Sequence, residues 1–236
     1  MSKEKIRRAY EDLAENYSAL IDHKPHNAYY DRPNTIALLG SVREKQILDA
    51  ACGPGKYAQI LQSNGAHVTG FDSSPQMIEY AKKRNNDKGS FFVHDLESPL
   101  HMFKNGSFDI VLCALAMHYV EERNFTIQEF YRVLKPKGLL ILSIEHPFFE
   151  YRYFKSKVYF EVEPVQCTWS GFGKPVVIHS YRRSLGACIT PLTSNGFYID
   201  ELVEPKPLAA FEELDPKHFR ELNEFPAFMC IRAIRK

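Results

Sequence analysis

The 236-residue sequence predicts an α/β fold built on a mostly parallel sheet. From Gln46 onward, short apolar runs alternate with stretches of helical period, as in repeated strand-helix-strand units. The first apolar run ends in a turn with Gly53 and Gly55, and such turns lead a buried strand into a helix. With 236 residues, 44% of them hydrophobic, the chain fits one large globular domain or a core domain that carries an insertion, and it can bury a full core.

The N-terminal segment, residues 1–40, is predicted to form a helical cap on a main domain of residues 41–236. Apolar side chains recur in it at steps of four and three, so they share one face of a helix. A second helix is expected to begin at Arg32-Pro33 and to end near Gly40. The apolar face consists of Ile6, Tyr10, Leu13, Tyr17 and Leu20.

Regular alternation of apolar runs and helical stretches continues from residue 46 to residue 143. Strands that are joined through helices at this spacing lie parallel in one sheet. The predicted strands are Gln46–Asp49, His67–Phe71, Phe91–His94, Phe108–Leu112 and Leu139–Ser143. The predicted helices are Tyr57–Gln62, Pro75–Arg84 and Thr126–Leu134.

An aromatic-rich insertion, at about residues 147–180, follows His146-Pro147 and shows no helical period at its start. Two interpretations stay open. It covers a ligand site, because open α/β sheets bind ligands at the carboxyl ends of their strands, or it forms a β-hairpin that extends the sheet.

In the last part of the chain, the pattern predicts strands that are not joined by a clear helical crossover. This favours strands that are added antiparallel at the edge of the sheet. The elements expected from residue 176 onward are the strands Val176–Tyr181, Phe197–Glu204 and Ala227–Ile234 and the helix Ser184–Asn195.

Charge and cysteine usage restrict the function classes. The formal charge of +1 indicates neither a duplex nucleic-acid surface nor an anionic-membrane surface. We see no leader and no apolar run that could span a bilayer, so we expect a cytoplasmic location and no membrane partner. The five cysteines form no Cys-x-x-Cys pair and are expected to be reduced thiols, and we expect no metal site.

The glycine turn has the properties of a ligand site. Gly53 and Gly55 let the backbone approach a ligand closely, and the N-terminus of the following helix favours a carboxylate or phosphate. Asp49 adds a negative charge beside that anion site. Together these features suit a ligand that carries both a carboxylate and an ammonium group, such as an amino-acid moiety.

Asp72 ends the second predicted strand, 19 residues after Gly53, where an acid can accept hydrogen bonds from both ribose hydroxyls of a nucleoside. The same spacing occurs in nicotinamide enzymes, and Gly53, Gly55 and Ala58 satisfy their Gly-x-Gly-x-x-Gly/Ala pattern. Asp49 argues against a dinucleotide, because its charge would repel the pyrophosphate but attract an ammonium group.

The third and fourth predicted strands end in residues that suit an adenine and a sulfur-containing group. Asp95 can accept a hydrogen bond from the exocyclic amine of adenine while Leu96 packs on the ring. Ala114 and Met117 are the small and soft residues that a sulfur-bearing ligand needs beneath it. Three acids therefore follow three adjacent strands.

These motifs resemble those of the class I S-adenosylmethionine-dependent methyltransferases of the bacterial small-molecule type. Asp49–Gly55 is similar to their first motif, Gly70–Met77 to their second, and Leu134–Leu139 to the turn before their fifth strand. The resemblance is specific from about Gln46 to Phe148. It implies a Rossmann-like seven-stranded sheet in the order 3-2-1-4-5-7-6 with an antiparallel last strand. The sequence departs from the family at Cys52, where a glycine is frequent.

The resemblance also implies the cofactor, S-adenosyl-L-methionine, its product S-adenosyl-L-homocysteine, and the residues that hold them. Its methionine end is assigned to the first motif, its ribose to the second, its adenine to the third strand end and its sulfonium to the fourth. The implied cofactor-binding residues are Asp49, Ala50, Gly53, Gly55, Asp72, Ser73, Met77, Asp95, Leu96, Ala114 and Met117.

Methyl transfer is a direct displacement, so alignment and water exclusion can supply much of the catalysis and a base is optional. His118 and His146 follow the fourth and fifth strands and are the candidate catalytic bases. Either one could equally be a structural histidine. Tyr17, Tyr30 and Arg32 are candidates for closing over the cofactor.

The sequence therefore predicts an enzyme that methylates a small-molecule partner. Three alternatives stay open. An RNA-modifying methyltransferase is disfavoured because no basic, aromatic-interleaved channel is visible, although Arg152, Lys155 and Lys157 keep it under consideration. The second alternative is a protein that binds S-adenosylmethionine and methylates nothing, and the third is a nicotinamide reductase. Oligomeric state and acceptor atom are not predicted.

Overall fold

The structure, a computed structural model, describes residues 3–236. Strands and helices are numbered in chain order. The strands are β1 (Gln46–Ala50), β2 (His67–Asp72), β3 (Ser90–Val93), β4 (Phe108–Ala114), β5 (Leu134–Glu145), β6 (Glu163–Trp169), β7 (Val176–Arg182), β8 (Phe197–Val203) and β9 (Phe228–Arg235). The α-helices are α1 (Lys3–Leu20), α2 (Arg32–Ala37), α3 (Lys56–Ser63), α4 (Pro75–Arg84), α5 (Arg123–Val133), α6 (Pro147–Tyr153), α7 (Leu185–Ser194), α8 (Ala209–Leu214) and α9 (Pro216–Glu224).

A seven-stranded sheet forms the centre, in the order β3-β2-β1-β4-β5-β9-β8. The first five of its strands in chain order are parallel, and β9 is antiparallel to both β5 and β8. If only the strands of this sheet are counted, the order is 3-2-1-4-5-7-6. The predicted α/β, Rossmann-like fold class is therefore confirmed.

Side chains of successive strand residues alternate between two cores, one on each face of the sheet. In β1, Ile47 packs with the helices α3 and α4, whereas Leu48 packs with α5 and α7. Both side chains are fully buried. Since β1 lies between β2 and β4, the residues at its carboxyl end lie in the middle of the sheet edge.

The predicted aromatic insertion contains a helix that the sequence pattern does not reveal. His146 is the N-cap residue of α6, with its Nδ1 accepting a hydrogen bond from the Phe148 N–H at 3.2 Å, and Pro147 occupies the first turn. The helix has seven residues and aromatic side chains on several sides, so it is too short to show an apolar period.

The rest of the insertion forms a β-hairpin of β6 and β7, but this hairpin does not extend the central sheet, as one interpretation expected. It is a separate two-stranded sheet that packs on α1, where Val176 and Ile178 contact Ala9 and Leu13. The β6–β7 hairpin contributes no buried residue to the two cores of the central sheet, and its apolar residues pack on the N-terminal helix α1. Whether residues 147–180 form a substrate-side insertion stays a prediction.

Two further segments differ from the sequence pattern. The long connection between β8 and β9, for which the sequence predicts no helix, contains α8 and α9, whose Phe211 and Leu222 bury against Tyr30. The second N-terminal helix, α2, ends before Gly40, and a π-helical turn at Asn27–Asp31 precedes it. Prolines at the start of the connection indicated a loop, whereas tertiary contacts stabilise the short helices α8 and α9 within it.

Hydrogen bonds tie the N-terminal segment to the main domain. Arg84 of α4 donates to Asp22 Oδ1 at 2.8 Å and to the Ser18 carbonyl at 2.7 Å. The hydroxyl of Tyr30, which is fully buried, accepts the Ala227 N–H at 2.9 Å. The boundary between residues 40 and 41 stays a prediction, and Met1 and Ser2 lie outside the described residues. Within residues 3–236, no helix is long and apolar enough to cross a bilayer.

The Tyr30 contact predicts a stability change. In Tyr30→Phe the buried Ala227 N–H loses its acceptor, and we expect the free energy of unfolding to fall by about 1 to 3 kcal/mol. Tyr198→Phe is the control, because Tyr198 is 56% exposed and removes the same atom from the surface of β8. Urea unfolding monitored by circular dichroism measures both variants. Equal stability of the two would contradict this role for the hydroxyl.

Candidate active site

The carboxyl ends of the parallel strands meet at one edge of the sheet and border a cavity. The cavity is open to solvent on one side, and its empty space, including the solvent at its mouth, is about 1140 Å³. Asp49, Asp72 and Asp95 all line it, from the ends of three adjacent strands. Residues of α1 and of the π-helical turn close the opposite side.

Asp49 is the most buried of these acids, with 2% of its surface exposed. Its Oδ2 atom has no hydrogen-bond partner among the described residues. Burial and, to a smaller degree, the nearby charge of Asp72 raise the pKa of Asp49 to about 7, against the lowering effect of the Ala58 N–H. A buried carboxylate oxygen with no partner is costly, so a ligand with a cationic donor would be bound favourably here.

Asp72 connects the glycine turn to β2. Its Oδ2 accepts the Gly53 N–H at 2.9 Å, and its Oδ1 accepts the Ser74 N–H at 2.9 Å. Burial raises the pKa of Asp72, although these main-chain hydrogen bonds act in the opposite direction. The carboxylate is thus held in one orientation at the border of the cavity.

The two glycines of the turn serve different purposes. At Gly53 (φ +52°) a Cβ atom would meet nothing within 4 Å, so open space lies against this part of the backbone. At Gly55 (φ +75°) a Cβ atom would lie 2.6 Å from Asn85 Nδ2 and 3.0 Å from Ala81 Cα. Gly53 therefore leaves room at the cavity, whereas Gly55 permits the close packing of α3 on α4.

Asp95 lies at the end of the cavity that α1 covers. Lys3 Nζ is 3.5 Å from Asp95 Oδ1 and 3.2 Å from Glu97 Oε2. Partial burial lowers the pKa of Lys3, but the two carboxylates together exceed this effect and the net change is upward. Because 55% of the Lys3 side chain is exposed, these ion pairs contribute little to stability, but they hold the first turn of α1 over the third strand end.

The cavity brings together most of the predicted cofactor-binding residues. Five of the predicted binding and catalytic residues do not line it: two pack in a core, one is the glycine that packs on α4, and two are buried histidines. The predicted residues that line the cavity are Asp49, Gly53, Asp72, Ser73, Met77, Asp95, Leu96 and Ala114. Those that do not are Ala50, Gly55, Met117, His118 and His146. Of the candidates for closing over the cofactor, Tyr17 and Arg32 line the cavity and Tyr30 does not.

Both predicted catalytic histidines are buried, with 3% of each exposed. His146 uses its Nδ1 to cap α6, and its Nε2 lies 2.9 Å from Glu204 Oε1, so both ring nitrogens are engaged. His118 packs on the ring of Tyr119 at 4.0 Å between centroids, and its Nδ1 has no partner among the described residues. Burial lowers the pKa of His118, which favours the neutral ring. Their catalytic role stays a prediction.

Two tyrosines that the sequence pattern does not select as site residues also line the cavity. The hydroxyl groups of Tyr10 and Tyr119 are 2.6 Å apart, and the ring of Tyr10 contacts those of Tyr17 and Trp169 edge to face. In the sequence, Tyr10 is visible only as part of the apolar face of α1. Its pairing with Tyr119 depends on how α1 crosses the sheet edge, which no local pattern shows.

The residues of this cavity fit S-adenosylmethionine. The Asp49 oxygen without a partner matches an ammonium group, the open space at Gly53 admits a ligand against the backbone, and Asp72 is an oriented acceptor. Among the described residues there is no group of three or more His, Cys, Asp or Glu side chains that could hold a metal ion.

Comparisons with known proteins agree with this geometry. Residues 48–142 match the family described as methyltransferase domain. YqeM of Bacillus subtilis, a protein named as a methyltransferase, is 31% identical to this chain over 145 residues. The demethylmenaquinone methyltransferase of Thermotoga maritima is 32% identical over 150 residues. A solved S-adenosylmethionine-dependent methyltransferase structure from Listeria monocytogenes superimposes with a TM-score of 0.76 at 23% identity, covering 87% of this chain and 96% of that one.

The fold is the one that class I methyltransferase domains have. Residues 48–142, less than half of the chain, resemble the methyltransferase domain family, and the similar solved structures include S-adenosylmethionine-dependent methyltransferases. The alignments include 59% and 60% of this chain, and they span 56% of YqeM and 62% of the Thermotoga maritima enzyme. The alignments therefore leave a substantial part of this chain and of each relative unmatched.

The two glycines allow a matched test of the site. We expect Gly55→Ala to lower the free energy of unfolding by more than about 2 kcal/mol, since its Cβ would clash with α4 in a left-handed conformation. Gly53→Ala has only the conformational cost, about 1 kcal/mol, and should chiefly weaken binding of S-adenosylhomocysteine. Thermal unfolding and calorimetric titration measure the two effects. The assignment is wrong if the two variants are equally stable.

Proposed function

We propose that the chain transfers the methyl group of S-adenosylmethionine to a small molecule that binds beside α1 and the β6–β7 hairpin. The observation that carries this proposal is the Asp49 Oδ2 atom, which is buried without a partner among the described residues, in a cavity that Asp72 and Asp95 also line. Such a carboxylate suits the ammonium group of an amino-acid moiety.

When bound, S-adenosylmethionine supplies an electrophilic methyl carbon. In this proposal Asp49 and the space at Gly53 hold the amino-acid end, and Asp72 with Ser73 holds the ribose. The remaining residues of the set complete the site: Met77 flanks the ribose, Asp95 and Leu96 hold the adenine, and Ala114 forms the floor. The backbone donors at Gly53 and Ser74 keep Asp72 oriented before the cofactor arrives.

The chain contributes to catalysis mainly through alignment and exclusion of water. The side of the cavity nearest the hairpin is covered by Tyr10, Tyr17 and Tyr119. Lys3, in the first turn of α1, pairs with Asp95 and Glu97 at the opposite end of the cavity. A nucleophile aligned there needs no strong base, since the positive charge of the cofactor disappears as the methyl group moves.

A small acceptor fits the surface better than RNA does. The three cations that keep the RNA alternative open, Arg152, Lys155 and Lys157, are exposed, and none of them lines the cavity. Arg152 stacks on the ring of Phe225 at 4.7 Å. The Thermotoga maritima relative is named for a small molecule, demethylmenaquinone, which supports the same class of acceptor. A cytoplasmic location is part of this proposal.

The raised pKa of Asp49 predicts pH-dependent binding. In the free protein Asp49 is protonated below pH 7, and only the ionised form attracts an ammonium group. We expect the affinity for S-adenosylhomocysteine to rise up to about tenfold per pH unit below pH 7 and to level off above it. Calorimetry from pH 5.5 to pH 8.5 measures this.

Asp49→Asn is the matched variant for this experiment. We expect it to bind S-adenosylhomocysteine at least about tenfold more weakly at pH 8 and with a flat pH profile. The raised pKa of Asp49 also destabilises the unliganded wild type as the pH rises from about 4 to about 7, where the unfolded state has already released the proton. The variant should therefore be the more stable protein at pH 8. A pH-dependent affinity that survives the substitution would refute the assignment.

Transfer itself is tested with cofactor labelled in its methyl group and a metabolite extract. We expect label in the small-molecule fraction, dependent on an intact Asp72, because Asp72→Asn disturbs the orientation of the glycine turn. Label in the RNA fraction would favour the RNA-modifying alternative. Binding of S-adenosylhomocysteine without any transfer would favour a protein that only binds the cofactor.

A further inference from the structure

A fourth acid, Glu145, lies at the same edge of the sheet as the acids of the cofactor cavity. It is the last residue of β5, two residues beyond Ser143, which pairs with Ala114 at the cavity floor. Its side chain is half-buried. No motif of the sequence singles it out, and the cofactor-binding set does not include it.

A second carboxyl group lies behind Glu145. Glu150, in α6, is 3% exposed and shares a hydrogen bond with the Glu145 carboxyl group. Its Oε1 atom has no hydrogen-bond partner among the described residues. Burial, followed by the charge of Glu145, raises the pKa of Glu150 well above its usual range, so Glu150 holds a proton at neutral pH. The pair keeps one negative charge.

No cation within residues 3–236 neutralises this charge directly. Over that range, neither Glu145 nor Glu150 forms an ion pair within 4.0 Å. Arg123 of α5 lowers the pKa of Glu150 to a smaller degree, but its Nε donates to the Met117 carbonyl at 2.9 Å. Arg183 also donates to main-chain carbonyl groups, including that of Val120 at 2.8 Å.

Glu145 ends β5, and β5 contacts the turn Met117–Tyr119 that follows β4. The charge of Glu145 raises the pKa values of Tyr10, Tyr119 and Tyr153, which lie on α1, after β4 and on α6, although burial has the larger effect on each of them. The charge of Asp72 also raises the pKa of Tyr10. The Tyr10–Tyr119 hydroxyl pair is thus within electrostatic reach of Glu145.

We propose that Glu145, the unpaired oxygen of Glu150, and the rings of Tyr10 and Tyr119 form a binding subsite for a protonated amine, so that the methyl acceptor is a small molecule bearing an amine. This proposal rests on the proposed function and names the acceptor class. An ammonium group has three donors and no acceptor, which suits two carboxyl groups, and the faces of tyrosine rings attract cations. A carboxylate would be repelled, and an alcohol would leave the charge uncompensated.

The test uses benzylamine and benzyl alcohol, two probes of nearly equal size that differ in charge. Each is titrated into the full chain, with and without S-adenosylhomocysteine, and binding is followed by protein NMR. We expect benzylamine to bind at least about tenfold more tightly than benzyl alcohol, and Glu145→Gln to abolish that preference.

Two variants control for charge and for folding. Glu150→Gln should keep the preference within about threefold, because glutamine resembles a protonated carboxyl group in shape and polarity. Glu161→Gln removes the same charge from an exposed position outside the pair and should change nothing. Thermal unfolding and the affinity for S-adenosylhomocysteine are measured for every variant. We expect every variant to unfold cooperatively, with Glu145→Gln no less stable than the wild type because it removes an uncompensated charge, and the affinity for S-adenosylhomocysteine to match that of the wild type.

The amine subsite is refuted if the two probes bind equally, if benzylamine does not bind at all, or if Glu145→Gln retains the preference. Loss of the preference in Glu161→Gln would also refute it, since the effect would then be one of net charge. Failure of the wild type to bind S-adenosylhomocysteine would refute the proposed function instead, and the titrations without that ligand still decide the amine subsite.

Discussion

The burial of the Asp49 carboxylate in the middle of the sheet edge is the constraint on which the site depends. Asp49 stands at the end of β1, between β2 and β4, so that water cannot solvate it freely and its Oδ2 has no partner among the described residues. Isolated, such a group is destabilising, and its raised pKa expresses that cost. The surrounding turn, with Gly53 fixed by Asp72, keeps space beside it for a cation-bearing ligand.

The cover over this edge is assembled from segments that are distant in the chain. The first turn of α1 reaches the third strand end through Lys3, and the hairpin packs on α1 rather than on the sheet. Tyr10 meets Tyr119 where these parts converge. The hairpin and α1 pack on each other through a small apolar cluster of their own.

Sequence reasoning predicted the cofactor side of the site far better than the acceptor side. Asp49, Asp72 and Asp95 were found because each follows an apolar run, and parallel strands end at one edge. The histidines show the limit of that reasoning. His118 and His146 follow strands too, yet one caps α6 and both are buried and do not line the cavity.

By itself, the sequence determined the alternation of strands and helices, the glycine turn and the three acids, because periodicity and turn chemistry are local properties. It also determined the strand order through its resemblance to a known family. Only the tertiary structure decided that Gly55 serves helix packing, that α6 lies within the aromatic insertion, and that Tyr10 and Tyr119 share a hydrogen bond. These features arise from contacts between residues up to 109 positions apart, which no pattern within a short window of sequence can specify.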